Sequence, residues 1–193
     1  MKEKTLILDN YDSFTYNITH LIRRLSDTSV EVYKNTSMSL EEIYIYNKVI
    51  ISPGPGIPSK TYLLKPLIKY YSAGKSILGI CLGEQAIADA FEGKLINTKN
   101  VYHGKYSKVT IVDKEEKIFY NLPTYLTIGR YHSWIVSECN FPSELKITAR
   151  GPKGEIMALR HNYYDVVGIQ FHPESILTPK GIYMIYNWIK LQK

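Results

Sequence analysis

The stretch Ser76-Ile77-Leu78-Gly79-Ile80-Cys81-Leu82-Gly83-Glu84-Gln85 constrains the fold more than any other part of the chain. A short apolar run ends in Gly-x-Cys-x-Gly, and a helix-forming segment from Gln85 to Phe91 follows. This is the sequence form of a nucleophile elbow, with cysteine where serine is usual. Gly79 and Gly83 leave room for a strand to turn sharply into a helix. A thiol at a helix N-terminus feels the positive end of the helix dipole, which favours the thiolate. The same residues also describe a buried structural cysteine between packing glycines. The rest of the chain has to separate the two readings.

Alternating elements surround this stretch. Thr5 to Leu8 reads as a buried strand ending in polar Asp9-Asn10-Tyr11-Asp12-Ser13. Phe14, Ile18, Leu21, Ile22 and Leu25 then recur at helical spacing, with Asp12 or Ser13 available as a cap. A strand from Val30 to Tyr33, a capping box at Ser39–Glu42 opening a short helix through Tyr46, and a strand from Lys48 to Ser52 follow. Leu63 to Tyr71 is the next helix, with Pro66 close enough to its start to be tolerated. The pattern predicts an open, mostly parallel α/β sheet flanked by helices. Beyond Gly93, short alternating segments at Lys108–Val112, Tyr125–Tyr131, Leu145–Arg150 and Glu155–Leu159 predict a smaller antiparallel β portion folded onto that sheet. A last strand, Asp165 to Phe171, precedes a C-terminal helix with Ile182, Ile185, Tyr186 and Ile189 on one face. No linker or repeat interrupts the chain, so residues 1–193 read as one domain.

Composition excludes several classes. An apolar fraction of 45% and a charged fraction of 22% are those of a soluble globular chain. Two cysteines, Cys81 and Cys139, imply no disulfide framework and point to a reducing compartment. Met1-Lys2-Glu3-Lys4 runs directly into a short strand and lacks the apolar region of a signal peptide, so a cytoplasmic location is expected. No run is long enough for a membrane span. The formal charge of +6 is spread over single lysines without an aromatic-interleaved basic stripe, which argues against nucleic acid.

Ligands of open α/β sheets bind beyond the carboxyl ends of the strands. Asp9 to Ser13, Ser52 to Gly56 and Cys81 all fall at such ends, and so does His172-Pro173-Glu174-Ser175. Pro53-Gly54-Pro55-Gly56 is a stiff loop able to hold backbone N–H groups towards developing negative charge. Pro173 biases His172 to an extended conformation, placing Glu174 on the same side of the chain. Cysteine, histidine and carboxylate in this order suit acyl transfer by a thiolate with an adjacent base. The oxyanion would be held by the Leu82 N–H and one from the proline–glycine loop. Substrate identity does not follow from these facts.

Six segments together resemble the class I (triad-type) glutamine amidotransferases: Asp9 to Thr15, Ser52 to Gly56, Gly79 to Gln85, His103-Gly104-Lys105, Arg130 to Ser133 and Phe171 to Ser175. Within that family the small subunits of anthranilate synthase and aminodeoxychorismate synthase are the nearest resemblance, over nearly the whole chain. The resemblance implies that Cys81 attacks the side-chain amide of L-glutamine, that His172 serves as acid and base, and that Glu174 orients it. It implies an oxyanion hole from Gly56, or else Gly54, with Leu82. Glutamine binding falls to Gly54, Pro55, Gly56, Gln85, Ser133 and Trp134. It further implies a chorismate-using synthase as the large-subunit partner, with magnesium needed there and no cofactor or metal in this chain. Asn10, Tyr11, Asp12, Ser13, His103, Lys105, Tyr131 and His132 become candidates for the partner-facing surface.

Two residues depart from the family's common pattern. Glu84 stands where His is usual and Trp134 where Leu is usual, and Glu84 is expected to point away from the sulfur. Cys139 matches no motif. The rival readings are a thiol hydrolase with a cysteine elbow, which leaves Pro53 to Gly56 unexplained, and a regulatory subunit that has lost catalysis, against which Cys81, His172 and Glu174 are all present.

Overall fold

The computed structural model describes residues 3–98 and 102–191; Met1 and Lys2 of the leader segment lie outside them. Eleven strands and four α-helices occur in the described residues. The strands are β1 Lys4–Asp9, β2 Ser29–Lys34, β3 Lys48–Ile51, β4 Ser76–Ile80, β5 Leu95–Asn97, β6 Lys105–Ile111, β7 Tyr125–Arg130, β8 Trp134–Val136, β9 Leu145–Arg150, β10 Ile156–His161 and β11 Val166–Ile169. The helices are α1 Thr15–Leu25, α2 Leu64–Tyr71, α3 Leu82–Ala90 and α4 Gly181–Lys190.

Nine strands form one sheet in the order β2-β1-β3-β4-β11-β10-β9-β6-β7. The first five are mutually parallel; from β10 onward each strand runs antiparallel to its neighbour. The antiparallel half is therefore not folded onto the parallel sheet, as the sequence suggested, but continues it edge to edge. The reason is that β11 returns from β10 into the centre of the sheet and pairs with β4. Only β5 and β8 stand apart, as a two-stranded ribbon.

The central parallel strands β1, β3, β4 and β11 are apolar on both faces, and their side chains sort with a period of two. Ile7, Ile50, Leu78, Ile80, Val167 and Ile169 join one core with Ile18 and Ile22 of α1 and Met184, Ile185, Trp188 and Ile189 of α4. Leu6, Leu8, Val49, Ile51, Ile77 and Val166 join the other with Leu67 and Ile68 of α2 and Ala86 and Ile87 of α3. Helices thus cover both faces. The buried stripe of α4 differs from the expected one: Ile185 and Ile189 are buried, but Tyr186 is exposed and Met184 and Trp188 take its place.

Local capping agrees with sequence pattern in part. Ser39 N–H donates to Glu42 Oε2 at 2.7 Å and Glu42 N–H to Ser39 Oγ at 3.4 Å, yet the segment it opens is a single 3-10 stretch, Glu41–Ile45, that buries only Ile43. At α1 the Asp12 carboxylate takes the Phe14 N–H at 2.8 Å. Pro66 is the third residue of α2, where no helical N–H partner is lost. No helix among the described residues is long and apolar enough to cross a membrane.

Two close approaches hold the centre of the sheet against α3. A Cβ at Gly79 would lie 2.4 Å from the Gly83 carbonyl, and one at Gly83 would lie 2.5 Å from the Ile51 carbonyl oxygen. Because backbone atoms block it, Gly79→Ala is expected to lower stability by about 1–3 kcal/mol. Gly74→Ala, whose Cβ meets nothing within 4 Å, serves as the control, with a change within about 0.5 kcal/mol. Urea unfolding of both variants checks this.

Candidate active site

At the end of β4 the chain turns at Cys81 with φ +54° and ψ −101°. A non-glycine residue there costs on the order of 1–3 kcal/mol and persists only where its surroundings hold it. Cys81 N–H donates to the Ile169 carbonyl at 2.8 Å, and the Cys81 carbonyl accepts from Gln85 N–H at 3.1 Å. The elbow is thus pinned to the neighbouring strand and to its own helix. The helix begins at Leu82, three residues earlier than the periodicity of Gln85 to Phe91 suggests, so the sulfur sits directly at its N-terminus.

His172 arrives from the adjacent strand. β11 pairs with β4 in the register Ile169↔Ile80, which brings both chain continuations to the same edge. His172 Nδ1 lies 2.7 Å from Glu174 Oε1. An ionised carboxylate only accepts, so Nδ1 carries the proton and Nε2 is the nitrogen free for chemistry. Nε2 makes no conventional hydrogen bond. Burial works to lower the imidazole pKa; interactions with Cys81 and Glu174 oppose it and prevail, raising it to about 10. The site therefore favours an imidazolium beside the Cys81 sulfur.

A fixed frame holds the histidine. Its carbonyl accepts from Thr178 Oγ1 at 2.7 Å, and that hydroxyl accepts from Gly129 N–H at 3.0 Å. A Cβ at Gly181 would fall 1.8 Å from the Pro173 carbonyl oxygen, so α4 starts directly against the His172–Glu174 turn. The Tyr131 ring lies 4.8 Å from the imidazole and Phe14 meets it edge-on at 5.5 Å.

Leu82 opens α3, and its N–H is one of the first-turn amides without a helical acceptor. The Pro53–Gly56 loop flanks it: a Cβ at Gly54 would lie 2.8 Å from Leu82 Cδ2 and 2.6 Å from Asn10 Cβ. Gly54 is packed against Leu82, whereas exposed Gly56, at φ +80°, faces open space. Asn10 fixes this loop, donating from Nδ2 to the Ser52 carbonyl at 2.8 Å and from its backbone to Ser52 Oγ at 2.9 Å. Beyond the loop an open pocket of about 710 Å³ is lined by Asn10, Tyr11, Asn35, Met38, Pro55 and Leu82. It borders Leu82 without including Cys81, which is itself 6% exposed.

Gln85, Ser133 and Trp134 do come together. Gln85 Nε2 donates to the Trp134 carbonyl at 3.0 Å, and the Ser133 carbonyl accepts from Thr98 N–H at 2.7 Å. Each carbonyl carries a second contact as well, Ser133 from Thr98 Oγ1 at 3.1 Å and Trp134 from His132 at 3.0 Å. Among the partner candidates, Tyr11, Ser13, His103 and Lys105 are exposed and Asp12 and Tyr131 are half-buried. Asn10 and His132 are not surface residues: they are 2% and 5% exposed. Asn10 is consumed in holding Ser52. His132 donates from Nδ1 to the Trp134 carbonyl at 3.0 Å, and burial, followed by the charge of Arg130, lowers its pKa to about 3.

Sequence reasoning missed Gln170. It is fully buried, and its side-chain amide lies 3.5 Å from Cys81 Sγ and 3.0 Å from Gln85 Nε2. The available signal was a lone amide in the apolar run Val166 to Phe171, because buried polar groups need a reason.

A cysteine elbow, a carboxylate-braced histidine on the next strand and a helix-start amide define a class of enzyme, and the sequence model of the class-I glutamine amidotransferase family matches residues 6–191. The chain belongs to that family. It is 39% identical to aminodeoxychorismate synthase component 2 of Escherichia coli, over 95% of this chain and 98% of that one. It is 42% identical to anthranilate synthase component 2 of Cyanophora paradoxa, over 95% and 97%. It is also 40% identical to the bifunctional protein TrpGD of Thermotoga maritima, over 98% of this chain but only 32% of that longer one. The crystal structure of a glutamine amidotransferase from Thermotoga maritima shares the fold, with a TM-score of 0.73 at 21% identity over 90% of this chain and 77% of that one.

The raised histidine pKa has a sign. A group at about 6.5 when unfolded and about 10 when folded contributes stability that is fully present below pH 6.5 and is lost as pH rises through 10. The urea midpoint of the native chain is expected to fall between pH 7 and pH 10.5, and to fall less in His172→Asn; unfolding curves across that range check it.

Proposed function

We propose that this chain hydrolyses L-glutamine through a cysteine thioester and passes the ammonia to a chorismate-using synthase. The observation that carries the reading is Cys81 at the elbow with His172 braced by Glu174 at 2.7 Å. The Cys81 thiolate attacks the glutamine side-chain carbonyl carbon, and the Leu82 N–H with a loop amide at Gly54 or Gly56 stabilises the oxyanion. As the tetrahedral species collapses, His172 Nε2 protonates the departing nitrogen, releasing ammonia and leaving a γ-glutamyl thioester. His172, now neutral, takes a proton from water; the resulting hydroxide attacks the thioester, and glutamate leaves with Cys81 restored as thiolate. Gln85 and the Ser133–Trp134 backbone hold the amino-acid end of the substrate.

Ammonia is useful only while it is shielded from bulk water, which suits delivery straight into a partner. Exposed Tyr11, Ser13, His103 and Lys105, with Ile176 at 92% exposure beside the Glu174 turn, form the face offered to it. Relatives named for anthranilate and for aminodeoxychorismate synthesis both match at similar identity, so the product amine class, rather than one pathway, is what the likeness supports. Magnesium belongs with chorismate in the partner, and a cytoplasmic location fits such a pair.

Cys81→Ala is expected to abolish glutamate release, by about 10³-fold or more, measured with and without each synthase large subunit; undiminished release in that variant would falsify the assignment. His172→Asn is expected to lower release to a similar extent while leaving the far-ultraviolet dichroism unchanged.

A further inference from the structure

Glu84 takes no part in the chemistry above, yet it lies three residues past the nucleophile and is 0% exposed. Its side chain occupies the space that Gly168 leaves open on β11: a Cβ there would fall 2.7 Å from Glu84 Cγ. The carboxyl therefore turns under the sheet and away from solvent. Its Oε1 has no hydrogen-bond partner. Burial alone drives its pKa well above the usual carboxylate range.

No cation faces it from the elements packed around α3. Lys65 and Lys69 of α2 pair with Asp89 and Glu92. Lys48 of β3 turns to the Ile189 carbonyl and Glu3. Arg130, beside His132, pairs with Glu155, His161 of β10 stacks with Tyr164 and meets the Phe91 ring, and His172 is bound to Glu174. Among the described residues no ion pair reaches Glu84. An unpaired buried carboxyl keeps its proton, and a protonated carboxyl has an O–H to donate.

Gln170 is where that proton matters. Its amide can sit in two ways related by exchange of oxygen and nitrogen. With nitrogen towards the sulfur, Nε2 is 3.5 Å from Cys81 Sγ and the oxygen accepts from Gln85 Nε2 at 3.0 Å. With the amide turned round, the nitrogen lies 3.2 Å from Glu84 Oε2 and 3.1 Å from the Trp134 carbonyl, and the oxygen faces the sulfur. A carboxylate at Glu84 would demand the second arrangement, aiming a partial negative charge at the thiolate. A carboxylic acid permits the first, in which the Gln170 oxygen also stands 3.1 Å from the Trp134 carbonyl oxygen and both accept from Gln85 Nε2.

We propose that Glu84 is a positioning residue: it donates its acid proton to the Gln170 carbonyl and so fixes the Gln170 amide nitrogen on the Cys81 sulfur, where it stabilises the thiolate. The inference rests on the reading of Cys81 as a thiolate nucleophile, and it assigns a role to the position where the chain departs from its family's common histidine.

The test reads the thiol itself and needs neither glutamine nor a synthase. The rate of Cys81 alkylation by iodoacetamide is followed against pH in a Cys139→Ser background, since Cys139 is exposed, with thermal unfolding as the check on folding. Glu84→Met and Gln170→Met are each expected to raise the midpoint of the profile by about one unit, slowing alkylation about tenfold at pH values below both midpoints. Glu84→Gln, which keeps a donor but cannot ionise, is expected to retain the native midpoint. The double variant is expected to match Gln170→Met alone, because both changes cut one chain of interactions. An unchanged midpoint in folded Glu84→Met, additive effects in the double variant, or a Glu84→Gln profile as shifted as that of Glu84→Met would each overturn the proposal. Loss of the glutaminase reading would appear instead as native alkylation of this form without glutamate release.

Discussion

Everything at this site depends on a backbone conformation that Cys81 would not choose. At φ +54° the residue is strained, and the surrounding sheet and helix hold it there. Gly79 and Gly83 let β4 and α3 approach to distances that no side chain would allow, and the Ile169 carbonyl clamps the Cys81 amide from the next strand. Strain, glycine contacts and strand pairing are therefore one device. Its output is a sulfur held at a helix start in one fixed direction.

Electrostatics completes what geometry begins. Glu174 binds one imidazole nitrogen, the other is kept from conventional partners, and the ring stays charged although it is buried. His132, from a different segment of the chain, shows the opposite outcome, where burial and Arg130 keep the imidazole neutral. Two buried histidines in one site thus differ in charge because one has a carboxylate and the Cys81 sulfur beside it and the other has a guanidinium.

Much of this was legible in the sequence because it is local. The period-two sorting of Leu6 to Leu8, the Gly-x-Cys-x-Gly spacing and the His-Pro-Glu turn each specify conformation within a few residues. What was illegible is set by long-range pairing. Nothing near Lys105 or Ile156 says that their strands extend the parallel sheet rather than cover it. Asn10 and His132 looked like surface residues because polar loop residues usually are, and only the Ser52 and Trp134 contacts show why they are buried. Gln170 was hidden by the apolar company it keeps in its strand.

The placement of β11 between β4 and β10 also bears on how the molecule is made. Cys81 and His172 are far apart along the chain, and their meeting requires the last strand to enter the middle of a sheet whose other strands precede it. Pairings of such sequence separation close slowly, after local helices and hairpins. A nascent chain emerging amino end first can assemble β1 to β4 and the elbow, but its thiol has no imidazole until β11 docks. Reactivity is thereby tied to completion of the fold, and a stalled or truncated chain carries an ordinary cysteine.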